Sequence, residues 1–230
     1  MADQMPAGEA LMAPMTSGFC SSERYAGWKK AKTRPAWLDD ENPDWEGNYK
    51  VRFWDPDWQR VIMGAPNAYL DRIIAAGFDG VYLDRADTYE TFAGERSTAR
   101  DDMVEFIETI SRTAKAINPD FAIILLNAEE LLRDRKVLTS IDAIAKEDLL
   151  YGANHEPVRN ATDAIASSLI HLRRAQAVGK PVFVVEYLRP GSVADGVKAE
   201  ISRLGFLPLV TERSLSISDG DNVSDRASID

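Results

Sequence analysis

The chain has 230 residues, of which 45% are hydrophobic and 28% are charged, as in a folded globular protein with one large domain or two small ones. Its 37 acidic residues outnumber its 27 basic residues and give a formal net charge of −10, which argues against binding to nucleic acid or to an anionic membrane. A single cysteine, Cys20, excludes an intrachain disulfide, and two histidines, His155 and His171, argue against a multi-histidine metal centre. We therefore expect no cofactor.

The N-terminal region, residues 1–56, is rich in proline, tryptophan and charge and predicts no regular strand. Its first 27 residues are expected to lie outside the main domain. The chain does not start with a basic segment followed by an apolar one, and no run reaches the roughly 18 apolar residues of a membrane span, so we expect neither a signal peptide nor a membrane helix. The tryptophans all lie in or just after this region, at Trp28, Trp37, Trp45, Trp54 and Trp58.

The rest of the chain alternates helical patterns with short apolar runs. Residues 57–76 predict a helix that is interrupted at Gly64-Ala65-Pro66, because proline cannot continue a helix. Apolar runs predict strands over residues 79–84, 121–126, 141–147, 181–188 and 205–210. Amphipathic patterns between these runs predict helices over residues 101–118, 162–178 and 192–204. The alternation predicts an α/β fold with a parallel sheet, followed by a polar tail over residues 214–230.

Most of the predicted strands end in acidic residues. These acids are Asp84 and Asp87, then Glu129 and Glu130, then Glu147 and Asp148, and finally Glu186. Other polar and aromatic residues near the same strand ends are Tyr89, Asn127, Tyr151 and Tyr187. Because the carboxyl ends of parallel strands meet at one edge of a sheet, we expect these side chains to surround a common site.

Several interpretations of this acidic rim are open. A single acid at a strand end is equally typical of a loop or of a helix cap. Two carboxyls that face one pocket are the minimum for glycoside hydrolysis, in which one donates a proton and the other attacks or activates water. Asp84 and Asp87 are also a possible divalent-cation site for a metal-dependent hydrolase. The tryptophans and tyrosines either stack on sugar rings or pack against the sheet.

A set of short segments carries a specific family resemblance. The segments are PAWL at 35–38, ENPDW at 41–45, YKVR at 49–52, WDPDW at 54–58, YLDR at 69–72, GFDGVYLDR at 77–85 and KEDLLYG at 146–152. Over residues 28–213 they resemble glycoside hydrolase family 114, the endo-α-1,4-polygalactosaminidase family. The resemblance implies a parallel (β/α)8 barrel and a glycosidase activity.

The resemblance also implies functional residues. Asp84 and Glu147 stand at the positions of the family's catalytic aspartate and catalytic glutamate. Asp87, Asn127, Glu186 and Tyr187 stand at positions that line the family's cleft. With the other strand-end residues and one tryptophan, the predicted substrate-binding set is Asp87, Tyr89, Asn127, Glu129, Tyr151, Glu186, Tyr187 and Trp54.

A deacetylated galactosamine polymer, the substrate that the resemblance implies, is polycationic. An acidic cleft attracts such a polymer over about a Debye length, ~8 Å at physiological salt. The family is largely secreted, so the resemblance also implies secretion. An eight-stranded barrel needs more strands than the five predicted here, so we expect an incomplete barrel with open edges and self-association through an edge. The alternative function is therefore a truncated, inactive member that at most binds carbohydrate.

Overall fold

The computed structural model describes residues 12–16, 19–21, 34–42, 47–152 and 158–212. The strands in these residues are β1 (Met12–Thr16), β2 (Phe19–Ser21), β3 (Leu38–Glu41), β4 (Asn48–Val51), β5 (Gly80–Asp84), β6 (Ala122–Leu126), β7 (Ala143–Glu147), β8 (Val182–Tyr187) and β9 (Leu207–Thr211). The α-helices are α1 (Pro56–Ile62), α2 (Tyr69–Ala75), α3 (Ala99–Ile117), α4 (Arg135–Ser140), α5 (Thr162–Ala177) and α6 (Ser192–Arg203). Two 3-10 helices, Ala86–Phe92 and Glu129–Arg133, follow β5 and β6.

In the part of the chain that the structure describes, the main sheet contains six parallel strands in the order β1-β5-β6-β7-β8-β9. From β5 onward each strand is joined to the next through helical segments, which confirms the predicted β/α alternation. The sheet curls into half of a barrel, and β1 and β9 form its two edges. The expected α/β barrel architecture with an incomplete set of strands is therefore confirmed.

The two faces of the main sheet have different surroundings. On the outer face, Val81, Leu83, Ile123 and Ile144 are fully buried in the main hydrophobic core, which also contains the apolar stripe of α3. On the inner face a smaller core is formed by Ile124, Ala143 and Ala145, against which Met12, Tyr82, Leu126 and Phe183 pack. Successive side chains of a strand alternate between faces, so Asp84 shares the inner face with Tyr82, and Glu147 shares it with Ala145.

A second, antiparallel sheet has the strand order β2-β4-β3. Close to β3 in the sequence, Trp37 is buried together with Trp58, and their ring centroids are 4.9 Å apart. The helix that contains Trp58 begins at Pro56, and the side chain of Asp55 caps it by accepting the backbone N–H of Asp57. That helix ends at Ile62, and the next one begins at Tyr69, so the predicted interruption is confirmed.

The prediction of no regular strand in residues 1–56 is wrong. β1, β2, β3 and β4 all lie there, and β1 pairs with β5 over its whole length, with Met12 opposite Gly80 and Thr16 opposite Asp84. The main sheet therefore has one strand more than the five predicted. Trp28, Trp45, His155 and the tail from residue 214 lie outside the described residues.

Candidate active site

Three consecutive strands of the main sheet end in sharp turns with positive φ at non-glycine residues. Arg85 follows β5 with a φ of 61°, Asn127 and Ala128 follow β6 with φ values of 56° and 52°, and Asp148 follows β7 with a φ of 51°. A left-handed conformation costs about 1–3 kcal/mol for a residue with a Cβ atom and is concentrated at functional sites. These turns bring the segments after β5, β6 and β7 around one cleft.

Glu147, the last residue of β7, is held by side chains from both neighbouring strands. Asn127 Nδ2 donates a hydrogen bond to Glu147 Oε2 over 3.0 Å, and the backbone N–H of Glu147 donates to Asn127 Oδ1 over 3.0 Å. The hydroxyl of Tyr187, at the end of β8, donates to Glu147 Oε1. Since both carboxylate oxygens are engaged, the side chain is confined to one orientation.

Asp84, the last residue of β5, lies two strands away on the same face. Its Oδ1 accepts the backbone N–H of Arg85 over 2.7 Å. Burial raises the pKa of the Asp84 carboxyl; the hydrogen bond and positive charge of Arg85 lower it, and the negative charges of Glu147 and Asp87 raise it further. The structure therefore brings Asp84 and Glu147 into one electrostatic environment.

An open cleft of about 430 Å³ lies beside Glu147. It is lined by Asp87, Glu90, Asn127, Ala128, Glu129, Glu130, Lys146, Glu147 and Asp148. Among these lining residues six are acidic and one is basic, so the cleft presents a negative potential to solvent. Four of the sequence-predicted residues, Asp87, Asn127, Glu129 and Glu147, line it together.

The acids of the cleft differ in their surroundings. Glu129 Oε1 accepts a hydrogen bond from Ser168 Oγ over 2.6 Å and lies 3.2 Å from Lys146 Nζ. Burial alone raises the pKa of Glu129, but Lys146 and the Ser168 hydroxyl outweigh it, so the pKa is lowered. Burial raises the pKa of Glu90, whose Oε1 accepts the hydroxyl of Tyr89 over 3.3 Å. The cleft therefore combines an ion-paired carboxylate with one that holds its proton more strongly.

Glu186 is placed differently from the expectation that it lines the cleft. Its side chain is fully buried, and its two carboxylate oxygens accept the backbone N–H groups of Leu150 and Tyr151 over 2.6 and 3.1 Å. Burial raises the pKa of Glu186 to about 7. Since Tyr187 is the next residue along the strand, alternation turns the two side chains to opposite faces of the sheet.

The cleft lining includes none of the four predicted aromatic residues, Trp54, Tyr89, Tyr151 and Tyr187. Trp54 packs edge-on against Phe53 and Phe92, each with a centroid distance of 5.0 Å, and the guanidinium of Arg96 lies 5.1 Å from its ring. The ring of Tyr151 is covered by the guanidinium of Arg159 at 5.6 Å. Together with the buried Trp37 and Trp58, these contacts favour a packing role for the tryptophans that the structure describes.

Sequence reasoning missed three residues of the cleft lining, namely the charged Glu90 and Lys146 and the apolar Ala128. Glu90 is three residues beyond Asp87, which is the spacing of one turn in the 3-10 helix after β5. Lys146 is adjacent to Glu147 and pairs with Glu129 of the 3-10 helix that follows the neighbouring strand β6. The signal for Glu90 is its helical spacing from a predicted residue, whereas the position of Lys146 depends on a contact between two strand ends.

Two further observations concern only the described residues. No group of three or more histidine, cysteine, aspartate or glutamate side chains is arranged there to hold a metal ion. In the same ranges, the structure shows no helix with the length and apolar character needed to cross a membrane.

Comparison with known sequences identifies related proteins. The profile of glycoside-hydrolase family GH114 matches residues 19–229. An uncharacterised protein of Deinococcus radiodurans is 39% identical over 211 residues, which cover 90% of this chain and 66% of that protein. Uncharacterised proteins of Methanocaldococcus jannaschii and Thermotoga maritima are each 34% identical, over 93% and 81% of this chain. The chain covers 64% of the length of the Methanocaldococcus protein and 58% of the length of the Thermotoga protein. It therefore spans about two thirds or less of each of the three curated relatives.

Comparison with solved structures identifies similar folds. The glycoside hydrolase domain of PelA from Pseudomonas aeruginosa superposes with a TM-score of 0.69 at 19% identity, over 90% of this chain and 79% of that chain. A family GH13_31 enzyme superposes with a TM-score of 0.54 at 14% identity, over 89% of this chain and 50% of that chain. At these identities the likeness is one of fold.

Proposed function

The chain belongs to glycoside hydrolase family GH114, and we propose that it hydrolyses an α-1,4-linked galactosamine-type polysaccharide with Asp84 and Glu147 as its two catalytic carboxyls. The observation that supports this proposal is the fixed orientation of Glu147. Asn127 and Tyr187 hold its carboxylate at the edge of the acidic cleft, and Asp84 lies within reach of its charge.

The proposed reaction needs two carboxyls with different tasks. One, as a general acid, donates a proton to the glycosidic oxygen of the leaving group. The other, as a carboxylate, attacks the anomeric carbon or removes a proton from the attacking water. Both groups stand at the carboxyl ends of strands, where the curled sheet and its turns give a rigid frame for them.

The charge of the cleft supports a cationic substrate. The unacetylated amino groups of a galactosamine polymer carry a positive charge when they are protonated, and the cleft presents the acids Asp87, Glu90, Glu130 and Asp148 to them. Attraction of this kind raises the local substrate concentration and weakens as salt increases. An N-acetylated polymer lacks these charges, so we expect it to bind more weakly.

Mass spectrometry of α-1,4-linked galactosamine oligomers incubated with the protein tests the proposal. We expect cleavage by the wild-type protein and a loss of about 10³-fold or more in both Asp84→Asn and Glu147→Gln. Glu105→Gln is the matched control, because Glu105 is exposed on α3 away from the cleft, and its activity should equal that of wild type. Near-normal cleavage by either Asp84→Asn or Glu147→Gln contradicts the assignment, and circular dichroism establishes that both variants are folded.

A second candidate is a carbohydrate-binding protein without turnover. It is favoured by the open edge of the main sheet, where Leu207 and Leu209 of β9 are 51% and 55% exposed. In this case calorimetry detects oligomer binding while mass spectrometry detects no cleavage from folded protein. The same edge predicts self-association, which sedimentation analysis measures as a mass that rises with protein concentration.

A further inference from the structure

Glu186 is a buried carboxylate that the proposed reaction does not use. It is fully buried on β8, yet a carboxylate without partners in the protein interior is strongly disfavoured. Its partners are the two backbone N–H groups of Leu150 and Tyr151, which belong to the turn after β7. That turn starts at Asp148, directly after the catalytic candidate Glu147.

The same turn is anchored at its other groups as well. The backbone N–H of Asp148 donates to Val185 O over 2.9 Å. Asn160 Nδ2 donates to the carbonyls of Asp148 and Leu149 over 2.7 and 3.0 Å, and the Asn160 backbone N–H donates to Leu150 O over 2.8 Å. Buried backbone groups need partners, and the Glu186 carboxylate supplies acceptors for the N–H groups of Leu150 and Tyr151.

We propose that Glu186 is a positioning residue that fixes the turn behind β7 and thereby the orientation of Glu147. This inference rests on the proposed function of Glu147. Tyr187 holds the Glu147 carboxylate from the cleft face of the sheet, and Glu186, its neighbour along β8, holds the following turn from the opposite face. Two successive residues of β8 thus form hydrogen bonds on opposite faces of the sheet, one with the last residue of β7 and one with the turn that follows it.

The chemistry of the contact explains why a carboxylate occupies the position. Two N–H donors that point at one side chain need two acceptor atoms, and a carboxylate provides them while a glutamine provides one oxygen and a competing NH₂ group. Glu186→Gln therefore keeps the size of the side chain but sets an N–H donor against another N–H donor. Glu186→Asp keeps both oxygens but is one methylene shorter.

The test combines hydrogen exchange with kinetics on galactosamine oligomers. In Glu186→Gln we expect the amides of Leu150 and Tyr151 to exchange at least about tenfold faster, while those of β7 keep their protection. We expect kcat to fall about 10- to 100-fold with KM within about twofold of wild type, because only the geometry of the reacting group changes. Glu186→Asp should recover part of kcat, and Glu105→Gln should change neither quantity.

Each result decides a different point. Faster exchange with an unchanged kcat overturns the positioning role, and unchanged exchange overturns the anchoring contact. If Glu186→Gln does not fold, Asn160→Ala removes other hydrogen bonds of the same turn, and an unchanged kcat in that variant overturns the claim that this turn positions Glu147. Absence of turnover in the wild-type protein overturns the proposed function, whereas the exchange experiment still decides whether Glu186 holds the turn.

Discussion

Substitutions of Asn127 can separate the effect of its side-chain hydrogen bonds with Glu147 from the effect of its left-handed backbone conformation. Its side chain makes a hydrogen bond in each direction with Glu147, both of 3.0 Å, and its backbone adopts a φ of 56°. Asn127→Ala removes the side-chain contacts and leaves a Cβ atom in the left-handed region. Asn127→Gly removes the same contacts but relieves the backbone, because glycine adopts this conformation without steric cost.

The expected magnitudes follow from these contacts. A hydrogen bond to a charged group contributes about 1.5–3 kcal/mol, which corresponds to a roughly 10- to 150-fold loss of kcat if Asn127 orients Glu147 for the reaction. Both variants should lose this amount. Alanine should in addition destabilise the fold by about 1–2 kcal/mol relative to glycine, since it carries the left-handed strain. Oligomer cleavage rates give the first quantity, and urea denaturation gives the second.

The comparison between the two variants decides the outcome. If Asn127→Gly is as active as wild type while Asn127→Ala is not, backbone strain rather than the contact with Glu147 controls activity, and the reasoning about orientation is refuted. Equal stability of the two variants refutes the reasoning about the turn.

Further predictions concern stability and charge. Gly80→Ala should destabilise the fold by about 1–3 kcal/mol in urea denaturation, because an added Cβ would overlap Ala122 O. Gly94→Ala, where an added Cβ would meet nothing within 4 Å, should cost less than about 0.5 kcal/mol. The pKa of Glu186, raised from 4.5 to about 7 by burial, means that the folded state binds a proton more tightly, so stability should fall by up to about 3 kcal/mol as pH rises from 4.5 to 7. Thermal denaturation across this range should show the fall, and Glu186→Gln should make it smaller, leaving the part contributed by Asp84 and Glu90, whose pKa values burial also raises. Higher salt should raise the KM for galactosamine oligomers and leave kcat unchanged, because it screens the attraction of the acidic cleft.

The sequence predicts β5 to β9 because each is a short apolar run between helices, but it does not reveal β1. The segment MAPMT contains Pro14 in its centre, and proline normally argues against a strand. At the edge of a sheet this objection disappears, because one side of the strand needs no hydrogen-bond donors. β1 is such an edge strand, paired on one side with β5. Edge position is a property of the topology, so it is not visible in the local sequence.

The candidate site shows the same difference between what the local sequence predicts and what depends on the topology. Acids at strand ends predict the cleft and include Asp87, Glu129 and Glu147, because parallel strands place their carboxyl ends together. They do not predict which face each acid occupies. Glu186 and Tyr187 are adjacent on one strand, so strict alternation already excludes that both face the cleft, but the choice between them depends on the register with β7.

That register explains how the site is organised. Val185 pairs with Glu147, so the end of β8 extends two residues beyond this pair and reaches both the Glu147 carboxylate and the turn after it. A shift by one residue would exchange the faces of Glu186 and Tyr187, burying the phenol and exposing the carboxylate to the cleft. The hydrogen bonds from the N–H groups of Leu150 and Tyr151 to Glu186 oppose such a shift, because the shift would take the Glu186 acceptors away from both donors. The hydrogen bonds between Glu186 and the turn after β7 therefore also keep β8 in the register that lets the Tyr187 hydroxyl bond to Glu147.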